Sequence, residues 1–457
     1  MSLSLNAFER YMLTDDRASH PMTFTIRTKF SGSFDADSFR RSLRRSLARH
    51  PLLSSRVEGE TRHARWVHSE WEPYLDIADL DSPLRFPHSE QIDLRSENGI
   101  RVWVRTSADS TEIRVQIHHS VCDGIGAYRF VEDLLCAYDA EVHGNREVAN
   151  WRPIRTDKLA QRANFGLSWG VFLLRLPLEA WGLIVGLITF FVPRPARLKS
   201  PYNPQPTAAE RLVLLDYPTH TFTAEQTRQL RDVAHRAHVT LNTLLLRELF
   251  LALQSWNEFH SAGRVNRLLR IMVPISLRVA SDEDLPAANV VAMVLLDRPM
   301  GIYRSPRWLL TSIKWELWFL NAFRLGLAFV RCVAFIGWLP GGLRYMARTN
   351  RCCATSVLSN VGQVLVDAQL PRREGKIIAG ELVLEAVESA PPIRPHTSAA
   401  FSCVTYAGRL AVVMNYDRNH FTTLTAQHLL DVYVRQIQAV AGITGSAPVV
   451  WNQVPAY

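Results

Sequence analysis

Two adjacent histidines, His118 and His119, are the residues of this sequence whose type and spacing best fit a chemical role. Asp123 and Gly124 follow them closely, so the segment has the form HHxxxDG. An imidazole has an ordinary pKa of about 6.5, so it is largely neutral at pH 7 and can take a proton from an alcohol or an amine. That chemistry suits attack on a thioester, because a thioester is already an activated acyl donor and needs no serine or cysteine nucleophile.

The elements around this segment would hold one imidazole rigidly. The run Glu112–His119 alternates apolar and polar residues, which predicts a strand with His118 and His119 on opposite faces. A short loop follows, and a helix is predicted from about Ile125 to Ala140. Asp123 is expected to fix the loop by pairing with an arginine rather than to relay a proton as in a hydrolase triad. The alternative is that both histidines are structural and only cap the strand.

The composition limits the class of protein. The chain has 457 residues, so two domains are expected. It carries 52 Lys and Arg against 43 Asp and Glu, a formal net charge of +9 that is spread along the sequence. A spread charge argues against a nucleic-acid-binding arm and fits a mild preference for phosphates, acidic carriers or membrane headgroups. No nucleic-acid partner is expected.

The cysteines and the first residues favour a reduced cytoplasm. The six cysteines form no CxxC pair, and charged residues occur between Glu9 and Asp16, where a signal peptide needs an apolar run. Histidines on opposite faces of a strand cannot easily bind one ion, so no metal is expected. There is no glycine-rich phosphate loop that would indicate a nucleotide cofactor.

Strand-like and helix-like runs alternate along the sequence, which predicts an α/β fold with two comparable halves. Residues 1–155 form the first predicted domain and contain the histidine pair. Residues 156–207 form an apolar segment and a proline-rich linker, and residues 208–457 form the second domain. In the first domain, Phe39, Leu43 and Leu47 recur every four residues and predict a helix with one apolar face.

Two segments are unusually apolar. Phe165–Val192 carries only two charged residues, and Leu325–Leu343 carries only Arg331. Neither reaches the roughly 18–20 uncharged residues of a spanning helix. Three interpretations stay open: buried or domain-bridging helices, an interfacial hairpin that rests on a membrane through residues 165–199 and 325–343, or a true span. Peripheral membrane association of a cytoplasmic protein is therefore a hypothesis.

HHSVCDG resembles the signature of the chloramphenicol acetyltransferase-like superfamily, which includes condensation domains, BAHD acyltransferases, polyketide-associated acyltransferases and wax ester synthase/diacylglycerol acyltransferases. The resemblance extends over most of the chain. The other segments that carry it are FRRSLRRSLARHPLLSSRV at 39–57, VTLNTLLL at 239–246, PISLR at 274–278 with a later asparagine, SNVG at 359–362 and the hairpin at 404–417. The DFGWG motif of plant-type enzymes and condensation domains is absent, so the resemblance is nearest to the wax ester synthase and polyketide-associated branch.

The resemblance implies two chloramphenicol acetyltransferase-like α/β domains, joined as a pseudo-dimer with a channel between them. His119 would be the general base and His118 a structural neighbour. Asp123 would pair with Arg278, and Gly124 would let the backbone approach the thioester.

Three further residues are carried over by position. Asn289, Ser359 and Asn360 would line the channel or support the oxyanion region. The PISLR segment has Ser276 where asparagine or aspartate is usual, so the sequence departs from the family pattern at that position.

The resulting hypothesis is a stand-alone acyltransferase that moves an acyl group from acyl-CoA to the hydroxyl of a lipid-like acceptor. A second hypothesis is a free-standing condensation-type enzyme with an acyl carrier protein as donor and an amine or hydroxyl acceptor; the carrier would be a separate chain. A third is a non-catalytic binding protein of the same fold. In all three, no cofactor is bound, and the thioester of coenzyme A or of a carrier's phosphopantetheine is a co-substrate.

Overall fold

The computed structural model describes residues 2–60, 62–145, 151–165, 169–201, 215–261, 268–301, 305–349 and 351–443. The end of the predicted linker, residues 202–207, lies outside them. The described helices are α1 (Ala7–Asp15), α2 (Ala36–Arg49), α3 (Gly124–Val142), α4 (Trp169–Leu174), α5 (Leu176–Phe191), α6 (Ala224–Arg236), α7 (Leu241–Phe259), α8 (Pro306–Ala322), α9 (Gly326–Trp338), α10 (Gly342–Arg348) and α11 (Thr423–Ala441).

The described strands form two large sheets and one small sheet. In chain order they are β1 (Ser2–Ser4), β2 (Thr23–Ser31), β3 (Ser55–Glu58), β4 (Arg65–His68), β5 (Tyr74–Asp79), β6 (Ile100–Thr106), β7 (Ser110–His118), β8 (Thr219–Thr221), β9 (Leu268–Ser276), β10 (Val291–Pro299), β11 (Ser356–Gln363), β12 (Arg372–Arg373), β13 (Lys376–Ala379), β14 (Leu382–Ala390), β15 (Ala399–Tyr406) and β16 (Arg409–Tyr416). The first large sheet has the order β12-β13-β14-β2-β7-β6-β5, the second has the order β10-β9-β11-β15-β16-β8, and the small sheet is β1-β4-β3.

Helices α2 and α3 pack together against the first sheet. The carboxylate of Asp35 caps α2 by accepting from the backbone N–H groups of Asp37 and Ser38 at 2.9 and 3.0 Å. The predicted apolar stripe of α2 is buried, because Phe39, Leu43 and Leu47 belong to the core of this half. Burial of each such side chain favours folding by about 1.5–3 kcal/mol.

The second sheet forms a separate core with α6, α7 and α11. The sequence predicts Thr223 as the N-cap of a helix from Ala224 to about Ala237. Thr223 caps α6 in the structure, and its side chain and that of Gln226 form a reciprocal capping box. A third, smaller apolar cluster joins α1 to α9, α10 and the end of α5.

Strand β14 crosses from the second half of the chain into the first sheet. It pairs antiparallel with β2, from Val383 opposite Ser31 to Ala390 opposite Thr25. The Ser389 hydroxyl lies 2.8 Å from that of Ser402 on β15, so the two large sheets meet there. The first sheet is therefore built from residues of both halves of the chain, whereas the sequence analysis assigns the whole of 208–457 to one domain.

The apolar segments form helices that are not fully buried. Phe165–Val192 contains α4 and α5, and Leu325–Leu343 contains α9 and the beginning of α10. Among the described residues, no single helix has the length and apolarity to cross a membrane, although the pair α8 and α9, bent by 67°, passes that test when taken together.

Candidate active site

Strand β7 positions the histidine pair. It pairs with β2 on one side and β6 on the other, and its final residue is His118. The backbone N–H of His119 donates to the carbonyl of Met22 at 2.8 Å, which extends the ladder by one residue. The two imidazoles then point to different environments, as expected from the period of a strand.

His118 is fully buried and acts as a brace for the loop. Its Nδ1 accepts from the backbone N–H of Ser120 at 3.1 Å, so the ring proton is on Nε2. Nε2 faces the carboxylate of Asp16 at 3.6 Å. Burial alone would raise the pKa of Asp16, but the interaction with His118 and the hydrogen bonds from Met22 and Gln91 hold it below its usual value.

Asp123 is committed to the backbone around it. One oxygen, Oδ1, accepts from the N–H of Gly126 at 2.9 Å and thereby caps α3. The other, Oδ2, accepts from Arg278 Nη1 at 2.7 Å and from the N–H of Val290 at 2.8 Å. Burial would raise the pKa of Asp123, but Arg278 and these hydrogen bonds keep it lowered and the carboxylate ionised. None of these hydrogen bonds is to the His119 ring, so Asp123 forms no triad with His119.

Asn289 holds the backbone of His119 through a hydrogen bond to its carbonyl. Its Nδ2 donates to the carbonyl of His119 at 2.6 Å and also contacts the Met12 sulfur at 3.2 Å. The side chain is buried and lines neither of the cavities that reach the imidazole. Asn289 is therefore a positioning residue that holds the backbone of His119. The resemblance also allowed it to line the channel, which it does not do in either of these cavities.

The imidazole of His119 is neutral at pH 7. Burial is the main influence on it and lowers its pKa, and the backbone carbonyls of His119 and Cys122 and the charge of Asp123 oppose this effect only in part. The ring packs edge-on against Phe24, with 5.1 Å between centroids. Nδ1 is enclosed by the protein, so Nε2 is the nitrogen left to accept a proton from a bound molecule.

His119 lies where two cavities meet. The larger has a volume of about 100 Å³ and mostly apolar walls, which include Met12, Met293 and Phe329. The smaller has a volume of about 40 Å³ and carries the hydroxyl groups of Tyr128, Ser389 and Ser402. The residues that belong to both walls are His119, Gly124, Ser359, Pro391 and Pro392.

Two of the three other predicted binding residues have this shared position. Gly124 is the first residue of α3, so its backbone faces both cavities. Ser359, on β11, faces them from the opposite half of the chain. Asn360 is the next residue on the same strand and points the other way, where its Nδ2 donates to Asn242 Oδ1 at 3.3 Å and its Oδ1 accepts from Gly362 N at 2.9 Å. The alternation of a strand explains why only one of the pair reaches the site.

Several residues of the site were not identified from the sequence. Pro391 and Pro392 follow β14, and their contribution depends on the crossing of that strand into the first sheet. Gly126 lets α3 approach the chain closely, because a Cβ there would lie 3.0 Å from the N atom of Ala288. A second glycine two residues after Gly124 is a sequence signal for a close approach of the backbone at the beginning of α3.

The described residues give no sign of a metal centre or a disulfide. No group of three or more His, Cys, Asp or Glu in the described ranges could hold a metal ion. All six cysteines lie within those ranges; each is buried, and none is in a disulfide.

Solved structures show which fold this is. The first condensation domain of the calcium-dependent antibiotic synthetase superposes with a TM-score of 0.67 at 16% identity, and the match covers 98% of both chains. A variant starter condensation domain of rhizomide synthetase, solved with C8-CoA, gives 0.66 at 13% identity over 97% of this chain and 95% of that one. The epimerization domain of tyrocidine synthetase B gives 0.64 at 17% identity over 97% and 96%. The chain therefore has the α/β fold of these condensation and epimerization domains, arranged as two similar halves.

Sequence comparisons match a smaller part of the chain than the structural comparisons do. No family model matches the chain. A probable non-canonical nonribosomal peptide synthetase of Salinispora arenicola is 28% identical over 173 residues, which are 34% of this chain and 2% of that protein. An uncharacterised protein of Mycobacterium tuberculosis is 27% identical over 148 residues, 31% of this chain and 34% of the relative. The chain thus matches about a third or less of the length of these relatives, and the narrower resemblance to wax ester synthases stays a prediction.

Proposed function

We propose that the protein is an acyltransferase in which His119 is the general base. The observation that carries the proposal is the position of the neutral imidazole at the junction of two cavities, with Nδ1 buried and Nε2 left to face a bound molecule. Two substrates approaching from the two cavities would meet at this nitrogen.

The reaction follows from that geometry. Nε2 accepts the proton of a hydroxyl or amine acceptor while the acceptor's oxygen or nitrogen forms a bond to the thioester carbonyl carbon. The tetrahedral intermediate collapses, the carbon–sulfur bond breaks, and the thiolate takes the proton back from the imidazolium. Neither a covalent enzyme intermediate nor a cofactor is required.

The developing oxyanion has candidate partners near His119. The N-terminus of α3 begins at Gly124, and the first N–H groups of a helix have no partner within it and favour a negative charge. The hydroxyl of Ser359 lies in the same shared wall. Donors placed in this way contribute several kcal/mol to acyl transfer in well-studied enzymes.

The donor is an acyl thioester, and coenzyme A is the leading choice. One structural neighbour was solved with C8-CoA, and the formal charge of +9 suits coenzyme A phosphates and an acidic acyl carrier protein equally. The acceptor is proposed to be a lipid-like alcohol, because the larger cavity is mostly apolar. The working compartment is proposed to be the cytoplasm.

Thiol release from a series of acyl-CoA and acyl-carrier donors, with mixed alcohols and amines present, tests the proposal. We expect release that depends on an acceptor and falls by at least about a hundredfold in His119→Ala, the size of effect of losing a general base. His143→Ala is the matched control, since His143 is an exposed histidine beyond the end of α3. Unchanged turnover in His119→Ala would refute the assignment.

A further inference from the structure

Helix α5 presents its apolar stripe to the outside. Trp181, Ile184, Val185, Ile188 and Val192 follow the spacing of one helix face and continue it by one residue past the helix end, and they are 37–67% exposed. In a helix of an ordinary globular protein, that spacing marks the face that packs on the core. The opposite face of α5 contacts α9 through Gly182 and Gly186, where an added Cβ would lie 3.0 Å from Ala328 Cβ and 2.7 Å from Cys332 Sγ.

Helix α8 adds a row of tryptophans to the same side of the molecule. Trp308, Trp315 and Trp318 are 76, 57 and 56% exposed, and their spacing places them along one face. Trp338 at the end of α9 is 74% exposed. We call the outward residues of α5, α8 and α9 the apolar surface.

The charges around the apolar surface are one-sided. Residues 169–201 and 305–349 contain ten Lys and Arg but only two acidic residues. Those two are already paired: Glu179 lies 3.3 Å from Arg175, and Glu316 lies 2.7 Å from Arg298.

A basic cavity adjoins the apolar surface. It has a volume of about 310 Å³, and its walls include Arg10, Arg62 and Arg344 against one acidic residue, Glu60. Arg62 donates to the backbone carbonyl of Trp338 at 2.6 Å, so the cavity is next to an exposed tryptophan.

A groove lies between the apolar surface and the larger cavity at His119. It lies between α5, α8 and α9 over β10, has a volume of about 240 Å³, and has Trp181, Val185 and Phe319 at its outer edge. Its inner wall contains Phe190, Met293 and Phe329, which also belong to the wall of the larger cavity at His119.

We propose that the apolar surface docks on an anionic lipid bilayer and that the groove admits a long-chain alcohol from the bilayer as the acyl acceptor. Tryptophans lie at the membrane–water boundary because their rings are both apolar and able to donate a hydrogen bond, and flanking Lys and Arg bind anionic headgroups. A second copy of a chain with the same excess of positive charge would be repelled, whereas an anionic bilayer is attracted.

The groove selects the acceptor rather than the donor. Coenzyme A carries several phosphates, and an apolar groove that opens on hydrocarbon would strip their hydration at a prohibitive cost. A long-chain alcohol has the opposite property, since its chain is insoluble in water and its single hydroxyl can reach Nε2 of His119. This assignment of the acceptor rests on the proposed function.

Flotation with vesicles tests the docking. We expect the wild type to float with phosphatidylcholine vesicles, more strongly when phosphatidylglycerol is added, and less strongly at high salt. The combined substitution Trp308→Ala, Trp315→Ala and Trp318→Ala should reduce the bound fraction at least about tenfold, because it removes three large apolar contacts with the bilayer. Trp71→Ala is the matched control: Trp71 is 47% exposed, and it stacks on Arg56 at a site that includes none of these helices.

Two results would overturn the docking. One is wild-type protein that stays unbound with both vesicle types. The other is a wild-type dimer that the triple substitution dissociates without any vesicle binding, since the apolar surface would then be a subunit interface. The melting temperature of the triple variant, measured without vesicles, establishes that it is folded.

A filled groove tests the route of the acceptor. Val185→Trp places a large ring in the groove, and the matched variant Ile184→Trp adds the same ring one residue away, outside its wall. With butyryl-CoA as donor, Val185→Trp should lower the ratio of turnover on hexadecanol in vesicles to turnover on butanol by at least about tenfold. Ile184→Trp should keep the wild-type ratio, and an equal ratio in both variants would refute the route.

The two proposals fail in different ways. If the wild type released no thiol from any donor, the acyltransferase proposal would fall, and vesicle flotation would still decide the docking. If release depended on His119 but the wild type did not bind vesicles, the acyltransferase proposal would stand and this inference would fall.

Discussion

The loop around His119 and the outer face of α5 are opposite exceptions to the usual distribution of side chains in a folded protein. The loop buries polar groups, and the face of α5 exposes apolar ones. In the loop, the ionised carboxylate of Asp123 and the imidazole of His118 are buried. On α5, large aliphatic side chains such as Ile184 and Ile188 face outward. Soluble proteins more often bury the apolar groups and expose the charged ones, and exceptions concentrate at functional sites.

The two exceptions are held in place by different interactions. Each buried polar group of the loop depends on two or three named partners, so the loss of a single partner is costly. The outer face of α5 contacts little of the protein, so its composition has little influence on folding in water. The following predictions test this contrast, from the largest expected effect to the smallest.

Arg278→Ala should cause the largest loss. It would leave the Asp123 carboxylate buried without its charged partner, which costs about 3–5 kcal/mol of unfolding free energy in comparable buried pairs. Urea unfolding followed by circular dichroism measures this. Arg278→Lys keeps a positive charge and should lose less, and equal midpoints for wild type and Arg278→Ala would contradict the importance of the pair.

Asn289→Ala should have an intermediate effect. The carbonyl of His119 would lose its donor at 2.6 Å, and an unpaired buried carbonyl costs about 1–3 kcal/mol. Because Asn289 positions the general base, kcat should fall more than KM rises. Asn360→Ala is the matched control, since Asn360 points away from the cavities; a larger loss of kcat in the control would reverse the two assignments.

The pH dependence of turnover should reflect the lowered pKa of His119. The neutral imidazole is the active form, so kcat/KM should be at a plateau at neutral pH and should fall as the pH drops through that pKa. Below it, the decline is about tenfold, or 1.4 kcal/mol, for each pH unit. A midpoint above the ordinary value of about 6.5 would show that burial does not dominate the titration.

Ile184→Ser should have the smallest effect on folding. The side chain is 59% exposed, and substitutions at such positions usually change the unfolding free energy by less than about 0.5 kcal/mol. Thermal unfolding without vesicles measures this. A loss of about 2 kcal/mol or more would mean that the protein itself covers this face of α5.

The local elements could be predicted because the side chains of a helix or strand repeat with its period. The predicted strand Glu112–His119 lies on β7 to within two residues at its beginning and one at its end, and the predicted cap Thr223 begins α6. The pairing of Asp123 with Arg278, 155 residues away, required the family resemblance, and the salt bridge is present at 2.7 Å.

Other features depend on contacts that no local pattern specifies. The strand-like run Leu382–Ala386 predicts a strand, but it does not specify which sheet the strand joins, and β14 lies beside β2. Asn289 and Asn360 are both polar residues next to the site, and only the path of the backbone decides that one holds His119 and the other points away. Helix α8, which carries three of the exposed tryptophans, is not among the predicted apolar segments, because Arg307, Lys314 and Glu316 interrupt its apolar residues.

The crossing of β14 makes each half of the chain incomplete without the other. A fragment that ended at residue 201 would retain β2, β5, β6 and β7, but β2 would become a bare edge strand with unpaired backbone groups over the length that β14 covers. Exposed edges of this kind pair with other chains and aggregate. The halves should therefore be insoluble when produced alone and should complement one another only when produced together, so the junction that brings Pro391 and Pro392 to His119 also ties the two sheets into a single cooperative unit.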